Sequence, residues 1–281
     1  MKKFITLLFL LIFTGCAINE PLRNRTLNDE KIAIIDTKTN KSIPYSTFID
    51  KIQKHNIILL GEYHEIPNHM AMEVRIFKSL NELQNLDVVF EMLSSDKQAK
   101  INEAKAKQIL PNELKNAIDW DEKWDYRNYG ELVESVFYSN SNLIAGNLSK
   151  DEINTIFNGA LPIYGKFSTT DEIKKALKTF VATSHKLEND EKNSALLDKF
   201  IQVQLYKDRR MADKLVHSKT KSLLIAGQIH ASKTVGVYNH ILDFDLKKSV
   251  VSVMLGDEKS FDLLNAQDAI KAFCDYYIVF K

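Results

Sequence analysis

Three stretches of this chain, residues 57–60, 223–226 and 250–255, are almost unbroken aliphatic runs: Ile57-Ile58-Leu59-Leu60, Leu223-Leu224-Ile225-Ala226 and Val250-Val251-Ser252-Val253-Met254-Leu255. A strand with one wet face alternates apolar and polar residues, so a continuous short run predicts burial on both faces. That environment belongs to a largely parallel sheet covered by helices. Residues 32–35, 88–90, 143–145 and 276–280 read as further strands of the same sheet. Between them the apolar spacing is helical over residues 69–84, 96–108, 128–139, 171–187, about 191–217, 231–241 and 265–273. Strand and helix in alternation predict an α/β fold. The stretches at about 95–140 and 149–218 exceed what a single crossover needs, and they are expected as helical insertions forming a cap lobe. With 9 Gly and 5 Pro in 281 residues, no linker composition interrupts the chain. Residues 32–281 are therefore expected as a single α/β domain.

The N-terminus has a different logic. Lys2 and Lys3 precede an apolar run from Phe4 to Phe13, broken by Thr6 and followed by Thr14-Gly15-Cys16. Its length falls short of the roughly 20 apolar residues of a membrane span. Charged start, apolar run and small residues are the pattern of a secretory signal. A Cys directly after the small residues resembles the bacterial lipoprotein signal, with residues 1–15 removed and Cys16 lipidated, although Phe13 stands where Leu is usual. Ala17 in place of Asp resembles lipoproteins passed to the outer membrane. Residues 16–31, polar and containing Pro21, are expected as a tether. With Cys16 carrying lipid, Cys274 has no disulfide partner.

Charge narrows the partners. Lys+Arg 38 against Asp+Glu 37 gives a net charge of +1, with the signs interspersed. Phosphate backbones need a basic face, so nucleic acid is not expected as a partner.

A near-duplication carries the chemistry. The first aliphatic run enters Gly61-Glu62-Tyr63-His64 and the second enters Gly227-Gln228-Ile229-His230, each a strand followed at once by G-x-x-H. Two other strands end in Glu91 and in Gly146-Asn147. Ligands bind at the carboxyl ends of strands in open α/β sheets. Glu62, His64, Glu91, Asn147 and His230 are thus expected to converge. Three readings are open: a divalent metal held by His64, Glu91 and His230 with Glu62 or Glu91 as base for bound water; a hydrogen-bonded network without catalysis; or histidines that simply cap the helices after them.

The run Ile58-Leu59-Leu60-Gly61-Glu62-Tyr63-His64-Glu65 followed by His69, the strand end Phe90-Glu91-Met92, the segment from Trp120 to Trp124, the helix pattern from Gln204 to Asp208 with Met211-Ala212, and Gly227-Gln228-Ile229-His230 together resemble the ChaN-like haem-binding lipoproteins. These are iron-uptake proteins, distantly similar to the TraB/Tiki and erythromycin-esterase group. Gln228 departs from the pattern, where Asn is commoner. The resemblance covers most of the chain after the signal. It implies a non-enzymatic protein that binds haem at the outer membrane, in a haem-linked homodimer, with an outer-membrane haem receptor as a further partner.

Ferric haem accepts a tyrosinate as axial ligand. A ligand tyrosine should sit on a loop, among apolar neighbours and near a cation for the propionates. Leu161-Pro162-Ile163-Tyr164-Gly165-Lys166-Phe167 meets these conditions, with Pro162 and Gly165 as loop punctuation. Tyr164 is the expected ligand to the haem iron, with Lys166 as a propionate partner. Tyr63 is the competing ligand, and His185, after a Lys-rich helix, is a second propionate candidate. Tyr126 and Tyr129, beside Trp120 and Trp124, read as core. The residues themselves leave a metal-dependent hydrolase open as the alternative function.

Overall fold

The computed structural model describes residues 25–266 and 269–281. The expected signal segment, Cys16 and the first part of the tether lie outside the described residues. Eight strands form one sheet among the described residues: β1 (Ile32–Asp36), β2 (Lys41–Ser42), β3 (Ile57–Glu62), β4 (Leu86–Ser94), β5 (Asn142–Asn147), β6 (Lys221–Gly227), β7 (Val250–Asp257) and β8 (Tyr276–Phe280). Their order is β2-β1-β8-β7-β3-β6-β4-β5. From β8 to β5 every pairing is parallel, while β1 runs antiparallel to β8 and to β2. All seven expected strands are present. The eighth, β2, is a two-residue exposed edge too short to leave a pattern.

Helices flank both faces: α1 (Tyr45–Ile52), α2 (Pro67–Leu83), α3 (Gln98–Ala106), α4 (Pro111–Ala117), α5 (Tyr126–Phe137), α6 (Lys150–Phe157), α7 (Asp171–Ser184), α8 (Ser194–Val216), α9 (Gln228–Ala231), α10 (Val237–Phe244), α11 (Glu258–Asn265) and α12 (Ile270–Phe273). The single helix expected over 231–241 is two, because the chain breaks after Ala231 and restarts behind Gly236. The helix α6, which hydrophobic spacing did not reveal, opens on a capping box. Ser149 Oγ accepts from the Glu152 N–H, and the Glu152 carboxylate accepts from the Ser149 N–H at 2.8 Å.

The two sheet faces sort by residue parity, as a period of two requires. Ile58, Leu60, Val88, Phe90, Leu223 and Ile225 pack under α1 to α5, while Ile57, Leu59, Val89, Leu224 and Ala226 pack against α10, α12 and the end of α8. The first insertion therefore shares the main core: Ile101, Leu114, Trp120 and Leu132 lie in it. The second carries a core of its own, with Ile173, Leu177 and Val181 of α7 meeting Leu197, Ile201 and Leu205 of α8. Cys274 is buried with a free thiol. The last residues expected in the tether are attached to the domain: Leu27 packs on the main core, Asp29 pairs with Arg75, and Lys31 O accepts from Lys281 N at 2.9 Å.

Candidate functional site

Parity explains how the strand-end residues meet. Glu62 shares the phase of Ile58 and Leu60 and turns to the α2/α5 face, whereas Glu91 shares the phase of Val89 and turns to the α8 face. His64, just past β3, spans the edge between them. Its Nδ1–H donates to Glu62 Oε1 at 2.8 Å, and its Nε2 lies 3.9 Å from Glu91 Oε2. Glu91 Oε1 faces His230 Nε2 at 3.2 Å and Glu91 Oε2 accepts from the Gly227 N–H at 2.8 Å. His230 Nδ1 meets Asp208 Oδ1 of α8 at 2.5 Å. On the other face the Tyr129 hydroxyl donates to Glu62 Oε1 at 2.8 Å.

Both glycines of the paired motifs are packing requirements. A Cβ on Gly61 would fall 2.5 Å from Met254 Sδ and 2.9 Å from Ala231 Cβ. One on Gly227 would fall 2.9 Å from His64 Nε2. Glycine at 227 thus opens the space that the imidazole occupies.

The expected convergence occurs, with one change of role. Asn147 is a backbone clamp: its Nδ2 donates to the Glu91 carbonyl at 2.8 Å and its Oδ1 accepts from the Leu148 N–H. Gln228 turns away, donating to the Leu255 carbonyl. The sequence reading missed Asp208 as a partner of His230, and it missed Glu73. Glu73 is fully buried on the face of α2 that carries Met70, Phe77 and Leu80, so its helical phase was a readable signal. Tyr129 is core, as expected, yet its hydroxyl belongs to the site.

Charge in this network follows burial and neighbours. Burial opposes a charge on Glu91, but the His230 and His64 imidazoles and the Gly227 N–H outweigh it and hold the carboxyl far below its usual range. His230 is likewise resisted by burial, yet Glu91 and Asp208 push it up to about 10, so it is an imidazolium at neutral pH. Asp208 is pushed up by burial, against the pull of His230. Glu73 is pushed well above the carboxylate range by burial and by Glu62, which makes it a neutral acid beneath that residue. His64, 35% exposed, moves up because Glu62 and Glu91 outweigh its desolvation.

This arrangement does not provide the alternative divalent site of His64, Glu91 and His230. His230 uses both ring nitrogens as donors to carboxylates, so it has no lone pair for a metal. Among the described residues no group of three or more His, Cys, Asp or Glu is placed to hold a metal ion. His69 is equally committed. Its Nδ1 accepts from the Tyr63 N–H at 3.0 Å, its ring lies between Tyr63 and Phe280, and burial lowers its pKa to about 3.

Tyr164 lies elsewhere, on the loop between α6 and α7, and is 83% exposed. The loop is pinned on both sides of it. The Leu161 carbonyl accepts from Gln202 Nε2 at 2.9 Å and from the Tyr206 hydroxyl at 2.7 Å. Beyond Tyr164, the Asp243 carboxylate accepts from Phe167 N at 2.7 Å and Ser168 Oγ at 2.5 Å, and Arg209 binds it at 3.0 Å. Tyr164, Lys166, Arg209, Phe244, Leu246 and Lys247 line a groove of about 570 Å³. Leu161, Phe244 and Leu246 are themselves exposed.

The remaining candidates are separate from this groove's lining. Tyr63 directs its hydroxyl to Ser260 Oγ at 3.4 Å, and burial raises its pKa, which disfavours the phenolate a haem ligand needs. His185 caps α7 and stacks on Phe200 with centroids 3.9 Å apart. Burial and Lys207 lower its pKa, so it offers a hydrogen bond rather than a charge.

Comparison with known proteins places these features. Residues 48–241 match the family model described as haem-binding uptake, Tiki superfamily, ChaN. The ChaN structure from Campylobacter jejuni, described as showing cofacial haem binding, is similar at 41% identity and a TM-score of 0.81, over 89% of this chain and 97% of that one. A mutant of the erythromycin esterase EreC in its open conformation matches at 12% identity and a TM-score of 0.49, over 80% of this chain and 76% of that one. A succinoglycan biosynthesis protein matches at 10% identity and a TM-score of 0.41, over 85% and 91%. Among curated proteins there is no match.

Proposed function

The chain belongs to the ChaN family of haem-binding uptake proteins in the Tiki superfamily, and we propose that it holds ferric haem through Tyr164. The observation that carries this reading is a tyrosine 83% exposed at the crest of a loop whose flanks are tied down. A large amphipathic side chain is rarely left to water on a pinned loop unless a ligand covers it, and exposed apolar patches mark binding sites. Leu161, Phe244 and Leu246 extend the patch as surface for a porphyrin, and Lys166, Arg209 and Lys247 supply cations for propionates. The phenolate of Tyr164 would supply one anionic oxygen to ferric iron, a donor suited to that oxidation state.

One such patch covers one face of a flat macrocycle. Closing the other face requires a second surface, and a second copy of this chain presenting the same loop is the simplest source, which makes the haem-linked homodimer part of the proposal. The cofacial haem of the Campylobacter protein supports it. Lipid attachment at Cys16 and outer-membrane location rest on the N-terminal sequence and complete the reading.

Titration with ferric haem tests the ligand. Tyr164→Phe removes only the phenolic oxygen, so the charge-transfer band of ferric tyrosinate should vanish while weaker binding persists, since apolar burial contributes about 25 cal/mol per Å² without the iron. Lys166→Ala should weaken binding and leave the spectrum unchanged. An unaltered spectrum in Tyr164→Phe refutes the assignment.

A further inference from the structure

The loop that carries Tyr164 is held more firmly than its packing explains. None of residues 161–167 is buried, so the loop adds little to the core, yet its backbone gathers around one side chain, Asp243 in the last turn of α10. That carboxylate, 5% exposed, accepts from the Phe167 N–H at 2.7 Å, the Ser168 N–H at 3.3 Å, the Ser168 hydroxyl at 2.5 Å and Arg209 Nη2 at 3.0 Å. All but the last of these donors belong to the loop. Buried ion pairs are poor devices for stability, because well-packed apolar residues serve as well or better. A buried carboxylate spent on a solvent-facing loop is better explained by what that loop presents.

The backbone is moulded to this acid. A Cβ on Gly165 would collide with the Asp243 carboxylate and with the Ser168 hydroxyl, so glycine is what lets the chain close on it. The Thr169 hydroxyl accepts from the Gly165 N–H at 3.0 Å and donates to the Gly165 carbonyl at 2.9 Å, which fixes the residue next to Tyr164. Arg209 ties the other side. Its Nη2 also donates to Ser168 Oγ at 3.1 Å and reaches the Tyr164 carbonyl at 3.4 Å, while its Nε donates to His240 Nδ1 at 3.0 Å. His240 and Ile241 of α10 are fully buried, Ile241 in the core against the sheet. The clamp is therefore referenced to the sheet through α8 and α10. The second amino group of Arg209 makes none of these bonds and stays available to a propionate.

We propose that Asp243 is a positioning residue for the haem ligand, holding residues 165–168 so that the Tyr164 phenol stands preset for ferric iron. The inference rests on the assignment of Tyr164 as ligand and adds the residue that makes its loop rigid. A loop ordered before binding loses no further freedom on binding, so preorganisation appears as affinity. A ligand site must hold its donor within about 0.5 Å of the productive geometry, and support from helices does this better than a loop alone. A carboxylate suits the task because its two oxygens take several converging donors. An amide at 243 would offer one oxygen and turn its own N–H groups toward the remaining donors.

The test uses the full-length protein purified in detergent, with ferric haem as the probe. Tryptic cleavage between Lys166 and Phe167 in the haem-free protein, followed by mass spectrometry, reads the loop. Transfer of bound haem to apomyoglobin reads the rate of haem loss, and the tyrosinate charge-transfer band reads the bond to iron. Asp243→Asn should raise the rates of cleavage and of haem loss about tenfold or more each and weaken the band, while its far-UV spectrum matches the parent. Gly165→Ala, which reaches the clamp from the loop and leaves α10 intact, should do the same, and it decides the matter if Asp243→Asn does not fold. In Tyr164→Phe, adding Asp243→Asn should change the rate of haem loss by less than about twofold, because the group being positioned is gone. Parent rates of cleavage or of haem loss in the folded variants, or an undiminished effect of Asp243→Asn in Tyr164→Phe, would each overturn the proposal. Tyr164→Phe alone reads the ligand assignment. An unaltered spectrum there refutes that reading and this inference with it, whereas a lost band there beside parent behaviour in Asp243→Asn refutes this inference alone.

Discussion

Replacing His230 by Leu removes the cation between two buried carboxylates, and the structure sets the size of the loss. Glu91 would keep the Gly227 N–H at 2.8 Å and a His64 nitrogen at 3.9 Å, while Asp208 would lose its partner at 2.5 Å. Breaking a buried pair by deleting one member costs about 3–5 kcal/mol, because the survivor remains buried without compensation. The ionisation of His230 leads to the same magnitude. A shift from an ordinary 6.5 to about 10 corresponds to roughly 5 kcal/mol of preference for the folded, protonated form. Urea unfolding followed by far-UV dichroism measures it, and the melting temperature should fall by on the order of 10 °C for a domain of this size. Because the folded pKa lies above the unfolded one, the contribution is complete below pH 6.5 and is lost as pH rises through about 10. Wild-type stability should therefore decline between those values by up to about 1.4 kcal/mol per pH unit, a slope missing from His230→Leu. Glu91 acts in the opposite direction. Its depressed pKa stabilises above pH 4.5 and the contribution disappears in acid. A loss below about 1 kcal/mol, well under the cost of breaking a buried pair, or parallel pH profiles for the two proteins, would refute an ionised Glu91–His230 pair.

Gly227→Ala places a Cβ 2.9 Å from His64 Nε2 and 3.6 Å from Glu91 Oε2, so it should displace His64 and cost about 1–3 kcal/mol in urea unfolding, whereas an unchanged midpoint would mean the ring is free to move. Cys16→Ser removes the thiol on which lipidation depends, so the protein should leave the membrane fraction and lose incorporation of labelled fatty acid while its thermal melt is unchanged. Retained label would refute the lipoprotein reading.

The sequence alone determined the sheet and half of the site. Aliphatic runs such as Ile57-Ile58-Leu59-Leu60 announce burial on both faces because strand period and burial are local properties. The convergence of Glu62, His64, Glu91 and His230 is legible in the order of residues, since the carboxyl ends of parallel strands share one edge. Their pairing is not. Asp208 reaches His230 from a helix 22 residues earlier in the chain, and Tyr129 reaches Glu62 across 67 residues. Such contacts depend on strand order and on which face each insertion covers, and no local pattern encodes either. Tertiary structure therefore decided that His230 spends both nitrogens on carboxylates, which turns an apparent metal site into a salt-bridged network. It also decided that Tyr164 stands in solvent while Tyr63 is held against Ser260, because exposure is a property of what packs over a loop rather than of the loop itself.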